Sequence, residues 1–192
     1  MFKGLQKKYT DHALLAAFAK GDRGAAQQLT EQLMPKIHAH AYYRLGNIAD
    51  AEDVTQEAFL KLWKIAPSWK QDKAQVSTWL YRVVNNLCKD RYRRASLEMR
   101  VIVQEPTNES QPPSSKIEEE IRQKALYTAM SILPESQRIA VQLRHIDELT
   151  NPQIAEIMEL SVEAVESLTA RGKRKLTKIL QSHKSELGYS HG

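Results

Sequence analysis

The chain has 192 residues, 42% hydrophobic and 27% charged, with 28 Lys and Arg against 23 Asp and Glu for a formal net charge of +5. That length buries one good core or two small ones, while a single cysteine, Cys88, excludes an internal disulfide and a cysteine zinc site. No run approaches the roughly 20 apolar residues that span a bilayer, so a soluble protein of the reducing cytoplasm is expected, without membrane insertion.

From Asp11 to about Arg94 the apolar residues recur at helical intervals without strand-like alternation, which predicts a helical bundle. Asp11 is placed to cap a first helix carrying Leu14, Leu15 and Phe18, and Gly21-Asp22 breaks it. A second helix runs through Leu29, Leu33, Ile37 and Ala41 toward Leu45-Gly46. A third begins near Asp50 and passes through Val54, Ala58, Phe59 and Leu62 to Ile65, where Pro67 stops it. In the fourth, Val76, Trp79, Leu80, Val83, Val84 and Leu87 follow the spacing of a buried stripe, which leaves Arg82, Asn86, Lys89 and Arg93 along the opposite face.

The pattern fails around residues 95–116. Gln104 to Ser115 has the proline, serine and polar content of a linker and too little apolar surface to order itself. The expected organisation is therefore all-α: a helical domain over 1–96, a linker over 97–116 and a second helical domain over 117–192. A protease is expected to cut first within 104–115 and release two helical pieces; uniform resistance there would show a docked linker. Helical spacing resumes with Ile117, Ile121, Ala125, Leu126 and Ala129, stops at Pro134, and restarts through Ile139, Leu143 and Ile146.

The stretch from Leu149 to Leu168 reads as two short helices joined by a tight turn. The first has two start signals, a capping box of Thr150 with Gln153, or Asn151 as cap with Pro152 in the first turn. It is expected to bury Ile154, Ala155 and Met158. The second starts at Ser161 and carries Val165, Leu168, Gly172, Leu176 and Ile179 at helical spacing. Gly172 weakens that helix by about 1 kcal/mol relative to alanine and suits close packing. Small Ala155 permits the crossing of a helix-turn-helix, whose exposed face, Glu163, Glu166, Ser167, Ala170, Arg171 and Arg174, is shaped to enter a major groove. The plainer alternative is an ordinary helical hairpin.

Three other constellations bear on chemistry. Asp50, Glu52, Asp53 and Glu57 make the third helix acidic, with Asp53, Gln56 and Glu57 on one side; that face suits a basic protein partner or simply solvent, and offers too few oxygens together for a hard metal. From Ser77 to Arg94 aromatics, amides and cations interleave, a mixture that suits unstacked nucleic acid through phosphate neutralisation, stacking and reading of an extruded base. Alternatively Trp79 and Tyr81 are core and the arginines a solvated helix end. His38 and His40 point apart on a helix and make an improbable metal pair. With no catalytic triad, phosphate loop or zinc spacing, no enzyme is indicated and no metal or cofactor is expected.

Taken in order, these motifs resemble those of the bacterial extracytoplasmic-function (ECF) sigma factors, the promoter-recognising subunits that join core RNA polymerase. The stretch from Asp50 to Phe59 is similar to the family's region 2.2, Ser77 to Asn86 to its regions 2.3 and 2.4, and Leu133 to Leu176 to its region 4. The resemblance implies that Asp53, Gln56 and Glu57, with Asp50 at the head of their helix, dock on core polymerase. It implies that Trp79, Arg82, Lys89, Arg91, Arg93 and Arg94 lie at the minus-ten element, where Asn86, or its neighbour Asn85 if the register slips, captures a flipped base. The face of Glu163, Glu166, Ser167, Ala170, Arg171 and Arg174 would read the minus-thirty-five element. It further implies a noncatalytic role and regulation by an anti-sigma factor.

The chain departs from that pattern in two places. Trp79 is followed by Leu80 where primary sigma factors carry a second tryptophan, and Glu166 and Leu168 flank Ser167 where basic residues are common. The minus-thirty-five preference therefore does not transfer from relatives. A helix-turn-helix regulator of the LuxR type is the alternative for Leu149 to Leu176, disfavoured by the helical first half; an enzyme acting on nucleic acid is a distant third.

Overall fold

The computed structural model describes residues 10–70, 75–99 and 126–186, and all the regular structure in them is helical. The chain divides into two compact units, Met1–Arg93 and Arg94–Gly192.

The first unit is built from α1 (Asp11–Ala19), α2 (Arg23–Leu45), α3 (Ile48–Ile65), a 3-10 turn (Ala66–Ser68) and, as far as Arg93, α4 (Val76–Met99). Thr10, rather than Asp11, caps α1: its Oγ1 accepts from the amide of Ala13 at 3.4 Å. Asp11 becomes the first helical residue, where a carboxylate favours the amino-terminal end of the helix dipole. Asp22 then caps α2 through the amide of Ala25 at 3.1 Å. Gly46, at φ 70°, closes α2 in the left-handed conformation that glycine adopts without penalty, and Asn47 opens α3 by accepting from the amide of Asp50 at 3.0 Å. Two residues thus end one helix and start the next, so α2 and α3 pack as neighbours.

The core of this unit collects Leu14, Leu15, Leu29, Ile37, Val54, Ala58, Phe59 and Leu62, as their spacing predicts. On α4 the buried arc is wider than the expected stripe. Val76, Leu80 and Val84 are buried, but so are Thr78, Tyr81 and Cys88, while Trp79, Val83 and Leu87 are only half-buried. The reason lies on α2, where His40 and Arg44 are buried too. The His40 ring meets Tyr81 edge-on at 5.0 Å, and Tyr92 donates its hydroxyl proton to the Arg44 carbonyl. Burial pushes the Cys88 thiol up to about 11, against the opposing pull of the Arg44 guanidinium. α4 continues to Met99, three residues into the segment assigned to the linker; residues 104–115, with Ile117 and Ile121, lie outside the described residues.

The second unit contains α5, described over 126–131, then α6 (Glu135–His145), α7 (Asn151–Met158) and α8 (Val162–Glu186). Met130, Leu133 and Val141 form a core against which Leu126, Ile146, Leu176 and Ile179 pack. Of the two start signals for α7, the capping box operates: the Thr150 amide donates to Gln153 Oε1 at 2.9 Å. α7 buries Ile154, Ala155 and Ile157, whereas Met158 is half-buried. Met158 is the last helical residue, and Glu159 turns the chain away in the left-handed conformation at φ 57°, with the Leu160 amide bonding back to the Ala155 carbonyl at 3.0 Å. Ser161 then caps α8 through the amide of Ala164 at 3.2 Å.

At Gly172 α8 lies against α6 with no room for a side chain. A Cβ there would stand 2.6 Å from Val141 Cγ2 and 3.1 Å from the Gln137 carbonyl oxygen. The missing side chain costs α8 about 1 kcal/mol of helix propensity and permits the approach on which the second core depends. Gly172→Ala is accordingly expected to lower the stability of this unit by about 1–2 kcal/mol, read as an earlier urea transition of α6–α8 by hydrogen exchange. A gain in stability would show that Val141 yields and propensity wins.

Candidate polymerase and nucleic-acid interfaces

Three surfaces carry the residues singled out in the sequence. The first is the outer side of α3, because Ala51, Val54, Thr55, Ala58 and Leu62 turn inward and helical spacing sends Asp53, Gln56 and Glu57 outward. All three are exposed. Glu57 pairs with Lys61 at 3.1 Å. Asp50 is half-buried and, with Asp53, receives the guanidinium of Arg91, whose Nη2 lies 3.3 Å from Asp53 Oδ2. A cation assigned to DNA is therefore bound to two acids assigned to polymerase. The sequence reading missed that α3 also exposes Leu60 (66%) and Ile48 (57%). Leu60 follows Asp53, Gln56 and Glu57 on one side, and its signal was its position off the stripe of Val54, Ala58 and Leu62.

The second surface is α4. Arg82, Asn86, Lys89, Arg93 and Arg94 are exposed, and Arg93 sits 3.4 Å from Asp90. The two asparagines are sorted by their surroundings. Asn85 is half-buried with its Oδ1 3.1 Å from His40 Nε2, while Asn86 faces out. Trp79 is half-buried and meets Trp69 edge-to-face at 5.9 Å; Trp69 in turn donates its indole proton to His12 Nδ1 at 3.1 Å. This aromatic cluster, tying α1 and the 3-10 turn to α4, was not foreseen because its members lie far apart in sequence.

The third surface is α8, where Glu163, Glu166, Ser167, Ala170, Arg171 and Arg174 are all exposed. The helix is polarised along its length. At its start the Glu163 carboxyl is held below the usual range by its own backbone amide and by the Ser161 side chain, so it serves the helix end. One turn on, Glu166 Oε1 accepts from Asn151 Nδ2 of α7 at 3.2 Å. Further along, Arg171, Lys173, Arg174, Lys175 and Lys178 line an open cationic depression. Acids thus occupy the amino-terminal end and cations the carboxyl-terminal part. Among the described residues no three His, Cys, Asp or Glu side chains gather as for a metal ion, and no helix is long and apolar enough to cross a membrane.

Residues 29–98 match the sigma-70 region 2 family and residues 123–176 the sigma-70 region 4 family. The first match sets the LuxR-type alternative aside. The ECF RNA polymerase sigma factor SigW of Bacillus subtilis is 30% identical over 84% of this chain and 92% of its own length. The ECF RNA polymerase sigma-E factor of Escherichia coli is 31% identical over 92% of this chain and 97% of its own. Among solved structures, CnrH in complex with the cytosolic domain of CnrY shares the fold with a TM-score of 0.70, at 24% identity over 90% of this chain and 97% of that one. The sigma factor RpoE of Bartonella quintana, in complex with the anti-sigma factor NepR, does so with a TM-score of 0.65, at 19% identity over 81% and 96%. With two region matches in order and relatives of this identity spanning most of its length, the chain belongs to the ECF family of RNA polymerase sigma factors.

Proposed function

We propose that this protein binds core RNA polymerase, directs it to a particular set of promoters and assists their opening, acting as a noncatalytic subunit without a cofactor. The observation that carries the reading is the division of labour between the two units: one exposes an acidic and apolar face on α3 beside a basic, amide-bearing face on α4, and the other exposes the second helix of a helix-turn-helix. The α3 face, Asp50, Asp53, Gln56 and Glu57 with Leu60, docks on a basic surface of core polymerase, where opposite charge steers association and the apolar contact adds affinity. On α4, Arg82, Lys89, Arg93 and Arg94 neutralise phosphates near the minus-ten element and Asn86 holds an extruded base. Its neighbour Asn85 is engaged by His40, which favours Asn86 for that role. Arg91 joins α4 to the docking face in the free protein, and Trp79 supports the helix from its aromatic pair. On α8 the exposed face reads the minus-thirty-five element and the cations beyond it hold phosphates.

Regulation by an anti-sigma factor is part of this reading, supported by a shared fold of which one solved example, the sigma factor RpoE of Bartonella quintana, is in complex with the anti-sigma factor NepR. The deciding experiment is reconstituted transcription: the protein added to core polymerase on a genomic template should produce a small set of discrete starts that core alone does not. Starts no different from those of core alone would overturn the proposal.

A further inference from the structure

We infer that Glu166, oriented by Asn151, selects a cytosine in the minus-thirty-five element by accepting from its N4 amine. The inference rests on the proposed role of α8 in reading that element. Glu166 stands on the exposed face of the second helix of the helix-turn-helix, three residues past Glu163 in its first turn, and one carboxylate oxygen is held from the side by Asn151 Nδ2 at 3.2 Å. Asn151 is itself fixed as the first residue of α7, behind the Thr150–Gln153 capping box. The bond fixes the carboxylate before DNA arrives and leaves acceptor sites on both oxygens, because an ionised carboxyl offers about four.

An ionised carboxylate facing DNA is repelled by phosphates and has no hydrogen to donate, so it is tolerated only in the groove interior, opposite a base amine. Two such amines face the major groove. The adenine N6 amine lies between two acceptors, its own N7 and the O4 of the paired thymine, whereas the cytosine N4 amine has an acceptor, the guanine O6, on one side only. A negative charge is therefore better placed at cytosine. The cations of α8 begin at Arg171, beyond Glu166, which puts the phosphate contacts at the other end of the helix.

The test uses the full chain with core polymerase on a promoter library randomised across the minus-thirty-five element, with transcripts sequenced. The wild type should enrich cytosine at one position by roughly tenfold. Glu166→Gln should shift that position toward adenine, whose N6 and N7 a glutamine amide matches. Asn151→Ala should reduce the cytosine enrichment severalfold while the thermal midpoint stays near wild type, an effect on base choice that a merely structural role would not produce. A cytosine preference that survives Glu166→Gln, or its absence in the wild type, would overturn the base contact. Enrichment unchanged by Asn151→Ala would overturn the positioning role. Absence of promoter-directed transcription by the wild type is a different failure, that of the underlying function.

Discussion

Charge reversal at Asp53 and Glu57 is expected to weaken binding to core polymerase by roughly two orders of magnitude or more, with the helical content of the protein unchanged. Both side chains are exposed, and the ion pairs they make, Asp53 with Arg91 at 3.3 Å and Glu57 with Lys61 at 3.1 Å, lie at the surface. Pairs of that kind contribute at most about 1 kcal/mol each to folding. Arg91 keeps its contact with Asp50 when Asp53 is replaced. The fold therefore survives while the docking face changes sign, so that attraction to a basic surface becomes repulsion. Binding of labelled protein to core polymerase, titrated at several salt concentrations, separates the contributions: the lysine variant should lose the salt-sensitive part, whereas Leu60→Ala should cost about 1–2 kcal/mol at every salt concentration. Near-wild-type affinity of the double lysine variant with intact helicity would show that α3 is not the main dock.

Much of this architecture follows from local rules. The Gly46-Asn47 break, the Thr150–Gln153 capping box and the Ser161 cap are decided within three or four residues, and each operates as its chemistry predicts. Registers that depend on a neighbouring helix were less legible. Tyr81 and Cys88 turn inward on α4 because polar His40 and Arg44 of α2 are themselves buried, which no hydrophobic periodicity in α4 announces. Ile157 replaces Met158 in the core because the left-handed turn at Glu159 starts one residue after it. At the surfaces, exposure was legible and partnership was not. Arg91 reads as one more phosphate-binding cation until Asp50 and Asp53, about forty residues earlier in the chain, are seen around it. Asn151 reads as a cap until Glu166 is found against its amide.

The separation of Asn85 from Asn86 leads to the second large effect. Asn86→Ala is expected to reduce open-complex formation by roughly ten- to a hundredfold and to blur discrimination at one minus-ten position, the cost of losing a paired hydrogen-bonding contact to a base. Asn86 is exposed on α4 in the line of Arg82, Lys89 and Arg93, and its amide offers both a donor and an acceptor to an extruded base. Asn85→Ala should behave differently. Its side chain is half-buried against His40, so its loss strips a partner from a buried ring and should lower the stability of the first unit by about 1 kcal/mol, with base preference unchanged. Arg93→Ala provides a third signature, since a phosphate contact carries no base information: binding should weaken across all sequences and the salt dependence should lessen by about one phosphate contact. Permanganate footprinting of the reconstituted complex reads opening, and binding to single-stranded minus-ten oligonucleotides reads base preference. If Asn86→Ala leaves that preference intact while Asn85→Ala abolishes it, base capture belongs to Asn85, and the bond to His40 must break as the promoter opens.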